Sequence, residues 1–367
     1  MVKNRKRVLF VVYHPVEPHI YYRICKQLNS QKFDVKFVIF EKENIVEKIT
    51  KSYGISYYKI GQTINNKFLR TLNFPIILLR LISIFLHYKP NVIFSATSPY
   101  AGISAFLLRI PIIGWSDTET ASFNNNLSRH YFNSIILPQS FMVEIKSNKV
   151  IKYNGYKELV YLHPKWFKPD KEVLNKLQIK KGEKIVLMRF SALKAMHDIG
   201  LKSASEKKEK ILHYIKELEK YARVFISMTE KDLGDKFNKY KLDIHPSEYI
   251  HLLAHCTLYI GEGTTTASEA GVLGVPWIAL RPQSLGYLND QEKKYNLGFR
   301  TNDIEFAFNK ALEWIKDDEL LEKWNVKRRK LISDKIDVSA FLAWFIENYP
   351  ESHEIMKENP QYQNKFK

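Results

Sequence analysis

Short, continuous apolar runs recur along this chain, and most are followed by a segment with helical spacing. The first is "KRVLFVVYH" at residues 6–14. A run of that length without polar interruption suits a strand buried on both faces. "HIYYRICKQLNS" then places Ile20, Ile24 and Leu28 on one helical face, and "FDVKFVIF" returns to a strand. A helix near "ENIVEKITKSYG" follows, and "SYYKI", "PNVIFSAT", "IPIIGWSD" and "SIILPQS" are further strand-like runs. Strands that alternate with helices are joined by crossovers, which predicts a parallel sheet wound on both sides.

The alternation lapses over residues 138–184, an irregular stretch of turn residues and aromatics, and then restarts. "KIVLMRFS", "RVFISMT", "TLYIGEG" and "PWIALRP" read as strands. Helices are expected at "EKILHYIKELEKYA", at "SEYIHLLAHC" and after the Thr-rich turn, with terminal helices through "DVSAFLAWFIENY". A chain of 367 residues also exceeds what one core usually supports. The expected organisation is α/β, with two Rossmann-like doubly wound halves. Residues 1–165 form an N-terminal domain, 166–350 a C-terminal domain, and 351–367 a polar, frayed tail. Sheets of this kind bind ligands at the carboxyl ends of their strands, so a cleft between the halves is the expected site.

Charge narrows the partners. A formal net charge of +18 fits nucleic acid, an anionic membrane or phosphorylated small molecules. Many lysines alternate with Glu, as in "KKEKILHYIKELEKY", which is the pattern of a solvated helix face. With no zinc finger, RNP-type aromatic motif or repeat, specific nucleic-acid binding is not expected. Cys25 and Cys256 lie in apolar-periodic segments and read as buried free thiols in a reducing compartment. "MVKNRKRVLFVVYHP" lacks the cleavage site of a secretory signal, so a cytoplasmic location is expected, with the inner membrane face as a variant of it. Residues 66–90, "NKFLRTLNFPIILLRLISIFLHYKP", are apolar with basic flanks. The apolar run is broken by Arg80 and falls short of the roughly 20 residues of a spanning helix. The segment is either a buried N-domain helix or an interfacial helix resting on an anionic membrane.

Chemistry concentrates in a few stretches. In "GEGTTTASEAGVLGVP", at 261–276, Gly261 and Gly263 permit a close backbone approach to a ligand. Thr264, Thr265 and Thr266 bring hydroxyls and N–H groups to the first turn of a helix, where the dipole favours a phosphate. Two readings of Glu269 stand: a capping box with Thr266, or a carboxylate that meets sugar hydroxyls, usually of a ribose. The turn is neither a dinucleotide fingerprint nor a Walker loop. Arg189, at the end of the first strand of the second half, is a fixed cation suited to a leaving diphosphate. Ser191, His197 and Asp198 follow on its loop as donor-binding candidates. In the first half, "YHPVEPHIYY" offers His14, Glu17 and His19 after the first strand, and "GWSDTETAS" offers Asp117 and Glu119. An acceptor hydroxyl needs a general base, and Glu17, His19, Asp117 and Glu119 are the catalytic candidates.

An apolar strand, a Gly-Thr turn, Glu-Ala on the helix, then "LGVP" and another strand resembles the donor-binding element of the GT-B superfamily. That superfamily holds nucleotide-sugar glycosyltransferases and the UDP-N-acetylglucosamine 2-epimerases. "IVLMRFSALKAMHDIG", "YNGYKELVYLHP", "FISMTEKDLGDKFNKYKLDIHPSEYIHLLAH", "SLGYLNDQEKKYNLGF", "PHIYYRI" and "WSDTETA" narrow the match. They are similar to an archaeal and bacterial glycosyltransferase-like family catalogued as a domain of unknown function. The resemblance implies a GT-B fold, diphosphate at the Gly-Thr turn, ribose at Glu269, and a nucleotide base framed by Met228, Thr229, Glu230, His245 and Pro246. The chain departs from relatives that carry Gly-Asp/Glu-Ser-Gly-Thr at the turn, which puts donor preference in question. The implied activity is transfer of a sugar from a nucleotide-sugar, with UDP-sugars foremost, to a surface-glycan or lipid-linked acceptor. No cofactor or metal is expected, since "SDTETA" is not an Asp-x-Asp metal motif. The alternatives are an epimerase of the UDP-N-acetylglucosamine 2-epimerase type, and a non-catalytic basic protein of the membrane surface. Such epimerases open with a "GTRPE" loop where this chain has "YHPVEPH".

Overall fold

The structure is a computed structural model that describes the chain apart from residues 1–4, 42–44, 63–66, 118, 120–129, 191–203, 229–234 and 282, and apart from the side chains of 67–71, 204–207 and 228. It divides into two units, Met1–Tyr161 with Lys335–Lys367, and Leu162–Asp334. Both are α/β, and every ladder in both sheets is parallel.

The first unit is built on β1 (Lys6–Val12), α1 (Glu17–Gln27), β2 (Phe33–Glu41), α2 (Ile45–Ser52), β3 (Tyr57–Gln62), α3 (Lys67–Tyr88), β4 (Val92–Ala96), α4 (Pro99–Leu107), β5 (Ile112–Trp115), β6 (Ser134–Pro138) and β7 (Val150–Tyr153). The sheet order is β3-β2-β1-β4-β5-β6-β7. Its direction of growth reverses between β1 and β4, where a doubly wound sheet opens a crevice at the strands' carboxyl ends. The continuous apolar runs occupy its centre: Val8 to Val12 are fully buried, as an interior parallel strand requires. Strand β7 lies within the stretch read as irregular. Its four residues are too few to show a period.

Within segment 66–90, Lys67–Tyr88 form α3, a helix with one buried and one exposed apolar face. Leu81, Phe85 and Tyr88 enter the core with Leu9, Val11, Ile93 and Ala105, whereas Leu72, Ile76, Leu79 and Leu86 face outward. Among the described residues, no helix is long and apolar enough to cross a membrane.

The second unit runs β8 (Ile185–Phe190), α5 (Ala204–Glu219), β9 (Arg223–Met228), α6 (Tyr249–Ala254), β10 (Leu258–Gly261), α7 (Thr264–Leu273), β11 (Trp277–Ala279), α8 (Gly286–Lys293), β12 (Gly298–Arg300), α9 (Ile304–Ile315) and α10 (Leu320–Asp334). The order β12-β11-β10-β8-β9 is a 2-1-3-4-5 winding with its switch point between β8 and β10. There the register sets Gly261 directly beside Arg189. Cys256 is buried and Cys25 half-buried, and both are free thiols.

The expected boundaries change at both ends of the second half. The first unit ends at Tyr161, and from Lys335 the chain belongs to it again. The reason is apolar: α11 (Val338–Glu347) buries Val338, Phe341, Leu342, Phe345 and Ile346. Val338 sits over Gly155, where a Cβ would come within 2.3 Å of it, and Phe341 stacks on Tyr153. Residues 351–367 are folded, not frayed. Helix α12 (Glu351–Glu358) buries Ser352, His353 and Met356, and a 3₁₀ segment, Pro360–Phe366, follows. Buried Gln363 accepts a hydrogen bond from the Asn154 amide at 2.7 Å, and the Asp337 amide donates to the Phe366 carbonyl at 2.7 Å. Polar composition hid this segment because its anchors are an amide side chain and backbone groups, which carry no apolar period. A chain ended at Pro350 is expected to lose about 3 kcal/mol or more of stability, from the burial of Met356 and the two orphaned amides. Urea unfolding reads this directly, and an unchanged midpoint would place the segment outside the cooperative fold.

Candidate functional site

In the second unit the site is assembled at the β8–β10 switch point. Strand β10 ends at Gly261, where a Cβ would lie 2.3 Å from the Arg189 carbonyl oxygen, a backbone atom that cannot give way. Glycine is therefore required for the two strands to close. Gly263 stands at the N-cap of α7, and no side chain caps that helix. A Cβ there would press on Arg189 Cδ and the Tyr259 hydroxyl, each 2.9 Å away. Thr264 and Thr265 are half-exposed at the first turn, where helical N–H groups have no partner within the helix.

Arg189 is the cation of this turn. It is half-buried, its Nη1 donates to Ser227 Oγ at 3.4 Å, and its guanidinium lies 5.6 Å from the ring centre of Tyr249. Burial works against its charge, but Tyr249, Tyr259 and the Glu269 carboxylate outweigh that, and its pKa is raised above the ordinary value. The guanidinium is a fixed positive charge beside an uncapped helix N-terminus. Both favour an anion at the same spot.

Thr266 and Glu269 do not form a capping box, because the cap is Gly263 and Thr266 already lies inside the helix. Both are buried. Thr266 hydrogen-bonds Tyr259, whose hydroxyl in turn donates to the Gly263 carbonyl at 3.1 Å and braces the turn from below. Glu269 acts electrostatically on Arg189, Tyr249 and Tyr259. Tyr249 and Tyr259 were not legible as site residues; in sequence they are ordinary aromatics of an apolar helix and strand. His245 is exposed and caps the 3₁₀ segment Pro246–Glu248, with its ring Nδ1 on Ser247 and its amide donating to Glu248. Ser191, His197, Asp198 and Thr229 lie outside the described residues.

In the first unit the candidates gather after β1, at the switch of that sheet. Glu17 opens α1 and is buried, with its Oε2 accepting from the Tyr13 amide at 2.5 Å and the His14 amide at 3.1 Å. Burial raises its pKa, the two amides and Lys157 lower it, and Asp117 raises it; the outcome is pushed up to about 7, from an ordinary 4.5. Asp117 pairs with Lys157 at 2.7 Å. Lys157 was missed in sequence because it lies in the irregular stretch, and only the fold brings it to Asp117. His19 is buried too, but its Nδ1 meets the Tyr53 hydroxyl and its ring stacks against Tyr161. Glu119 is buried and accepts from the Met142 amide at 3.3 Å. A carboxyl poised near neutrality is equipped both to take and to give a proton. Among the described residues no cluster of His, Cys, Asp and Glu is arranged to hold a metal ion.

The raised Glu17 also predicts a stability signature. The folded state keeps this proton to a higher pH than the unfolded chain does. Its stabilising contribution is therefore complete below the ordinary carboxyl pKa and is lost as pH rises through about 7, a change of about 3 kcal/mol. Glu17→Gln, neutral at every pH, is expected to abolish that fall and to be the more stable protein at alkaline pH. Urea titrations from pH 4 to about pH 8 test it, and parallel profiles would remove Glu17 as the titrating group.

Among curated proteins, the chain is 26% identical over 312 residues to the uncharacterized protein MJ0665 of Methanocaldococcus jannaschii, covering 80% of this chain and 87% of that one. Among solved structures it is similar to the MnaA–UDP co-structure of S. aureus, with TM-score 0.65, 13% identity, and 95% and 97% of the two chains covered. It is also similar to the UDP-GlcNAc 2-epimerase of Neisseria meningitidis bound to UDP-GlcNAc (TM-score 0.60, 14% identity, 93% and 98% covered). MurG of Acinetobacter baumannii matches at TM-score 0.56 and 15% identity, with 93% and 99% covered. At these identities the likeness is one of fold, the GT-B arrangement shared by epimerases and glycosyltransferases. The family model described as "Protein of unknown function (DUF354)" matches residues 15–339, and the chain belongs to that family.

Proposed function

We propose that the protein is a metal-independent glycosyltransferase that takes its sugar from a nucleotide-sugar, foremost a UDP-sugar, and passes it to a glycan or lipid-linked acceptor. One observation carries the reading: a fixed guanidinium, Arg189, stands beside the uncapped N-terminus of α7 at a sheet's switch point. Such a turn receives a diphosphate, and the charge it supplies stabilises the nucleoside diphosphate as it leaves. Glu269 takes the ribose hydroxyls, and Thr264 and Thr265 the phosphate oxygens. Ser191, His197, Asp198, Thr229 and His245 remain donor-side candidates. Glu17, with its pKa near neutrality, serves as the base that removes the acceptor proton, and Asp117 and Glu119 supply acceptor contacts.

A second reading, a UDP-N-acetylglucosamine 2-epimerase, is favoured by the names of several structural neighbours. Incubation with UDP-GlcNAc and no acceptor separates the two: epimerised or eliminated product would overturn the transferase. For the donor turn, UDP is expected to bind more tightly than CMP by calorimetry, and Arg189→Ala to weaken UDP by about tenfold to a hundredfold. CMP preference, or an indifferent Arg189→Ala, would remove the donor assignment. Since Arg189 and the helix N-terminus provide the positive charge, chelators are expected to leave turnover unchanged. The pH profile of kcat/KM should rise to a plateau above about 7 in the wild type, and Glu17→Gln should lose most of its activity with that limb.

A further inference from the structure

The outer faces of α3 and α4 raise a question the donor site does not answer. Twelve large apolar side chains are exposed among the described residues, and six of them belong to these two helices: Leu72, Ile76, Leu79 and Leu86 on α3, Phe106 and Leu107 on α4. On α3 they fall at steps of four, three and seven residues, which is a single stripe along the helix about 21 Å long. The inner stripe of the same helix, Leu81, Phe85 and Tyr88, is already used by the core. Packing of the first unit therefore does not explain the outer one. Both helices cross from the carboxyl edge of a parallel sheet back to its amino edge, so Leu86 and the Phe106–Leu107 pair arrive at the same edge.

Charge decides what this face suits. From Lys48 to Ser116 the chain runs 69 residues without one Asp or Glu, so neither α3 nor α4 carries an acid; of the cations within it, Lys51 and Lys59 pair with Glu47, whereas Arg80 lies on α3 and Lys89 and Arg109 directly follow α3 and α4. Elsewhere Asp and Glu are plentiful, 39 in 367 residues. Two of these cations hold a further peculiarity. Lys89 and Arg109 follow the ends of α3 and α4 in the left-handed conformation, at φ 52 and 55, where glycine is the usual occupant. Each helix thus closes on a basic residue where glycine would fit with less strain. Arg80 and His87 are exposed on α3 itself.

We infer that the α3–α4 face docks on an anionic lipid bilayer, with the six apolar side chains entering the interfacial layer and the exposed Arg80, Lys89 and Arg109 meeting the headgroups. A second copy of the same face would bring like charges together, which disfavours self-association here. The inference stands apart from the donor reading, since it is measured without nucleotide.

The test is sedimentation of the full chain with vesicles of phosphatidylcholine alone or mixed with phosphatidylglycerol. Binding is expected only with the anionic lipid and should weaken at high salt. The double variant Leu79→Asp/Leu86→Asp, and separately Leu107→Asp, should lower the partition coefficient by about tenfold or more. All three positions are exposed, at 67%, 57% and 59%, so unchanged thermal unfolding is expected. The control Leu321→Asp/Val326→Asp makes the same charge change as the double variant at exposed positions of α10 and should bind as wild type. Equal loss in that control would reduce the effect to net charge and overturn the inference. So would undiminished binding of both α3 and α4 variants, equal binding to neutral vesicles, or a lipid-free dimer that Leu79→Asp/Leu86→Asp dissolves.

Discussion

Parallel pairing is the constraint on which both units depend. A parallel strand cannot return by a tight turn, so each connection crosses the sheet and usually carries a helix back. Every carboxyl end of a strand is then followed by a loop and often by a helix N-terminus, with its unsatisfied N–H groups and positive dipole end. Where the winding reverses, neighbouring loops part and leave those groups open. The two places where the candidate site residues gather, the turn after β10 and the loop after β1, are such reversals. Their contents differ because their first-turn residues differ. Gly263 leaves α7 uncapped and ready for an anion, whereas Glu17 fills the start of α1 with a carboxyl of its own.

That difference separates two ways of treating a buried charge. Arg189 keeps its proton because tyrosine hydroxyls and Glu269 offset desolvation. Glu17 lacks that compensation in full. Its two backbone donors and Lys157 pull toward the carboxylate, but burial and Asp117 win, and the group is left near the pH at which it exchanges protons most readily. One unit holds a permanent charge and the other an adjustable one.

The strand–helix alternation was legible because interior parallel strands must be apolar throughout, and the run from Val8 to Val12 could serve no other role. The Gly-Thr turn was legible for a similar reason: few residues fit where backbone nearly touches Arg189. What stayed hidden depends on partners distant in sequence. Lys157 gains meaning only from Asp117, and Tyr259 only from the carbonyl of Gly263 above it. The capping box was a local pattern overridden by position, since the helix had already begun two residues before Thr266. Gln363 shows the same limit. A glutamine that fastens a backbone amide looks, in one sequence, like any glutamine in a polar tail.

The return of Lys335–Lys367 to the first unit makes the second unit an insertion with both ends held by the same body. On the ribosome this reverses the order suggested by position. The second unit has its whole sequence available once Asp334 has emerged, whereas the first must wait for Phe341, Phe345 and Ile346 to cover it. The half made first is the half finished last. Until then the first unit is open on the side that α11 will close, and α1 and α11 pack together only at the end of synthesis.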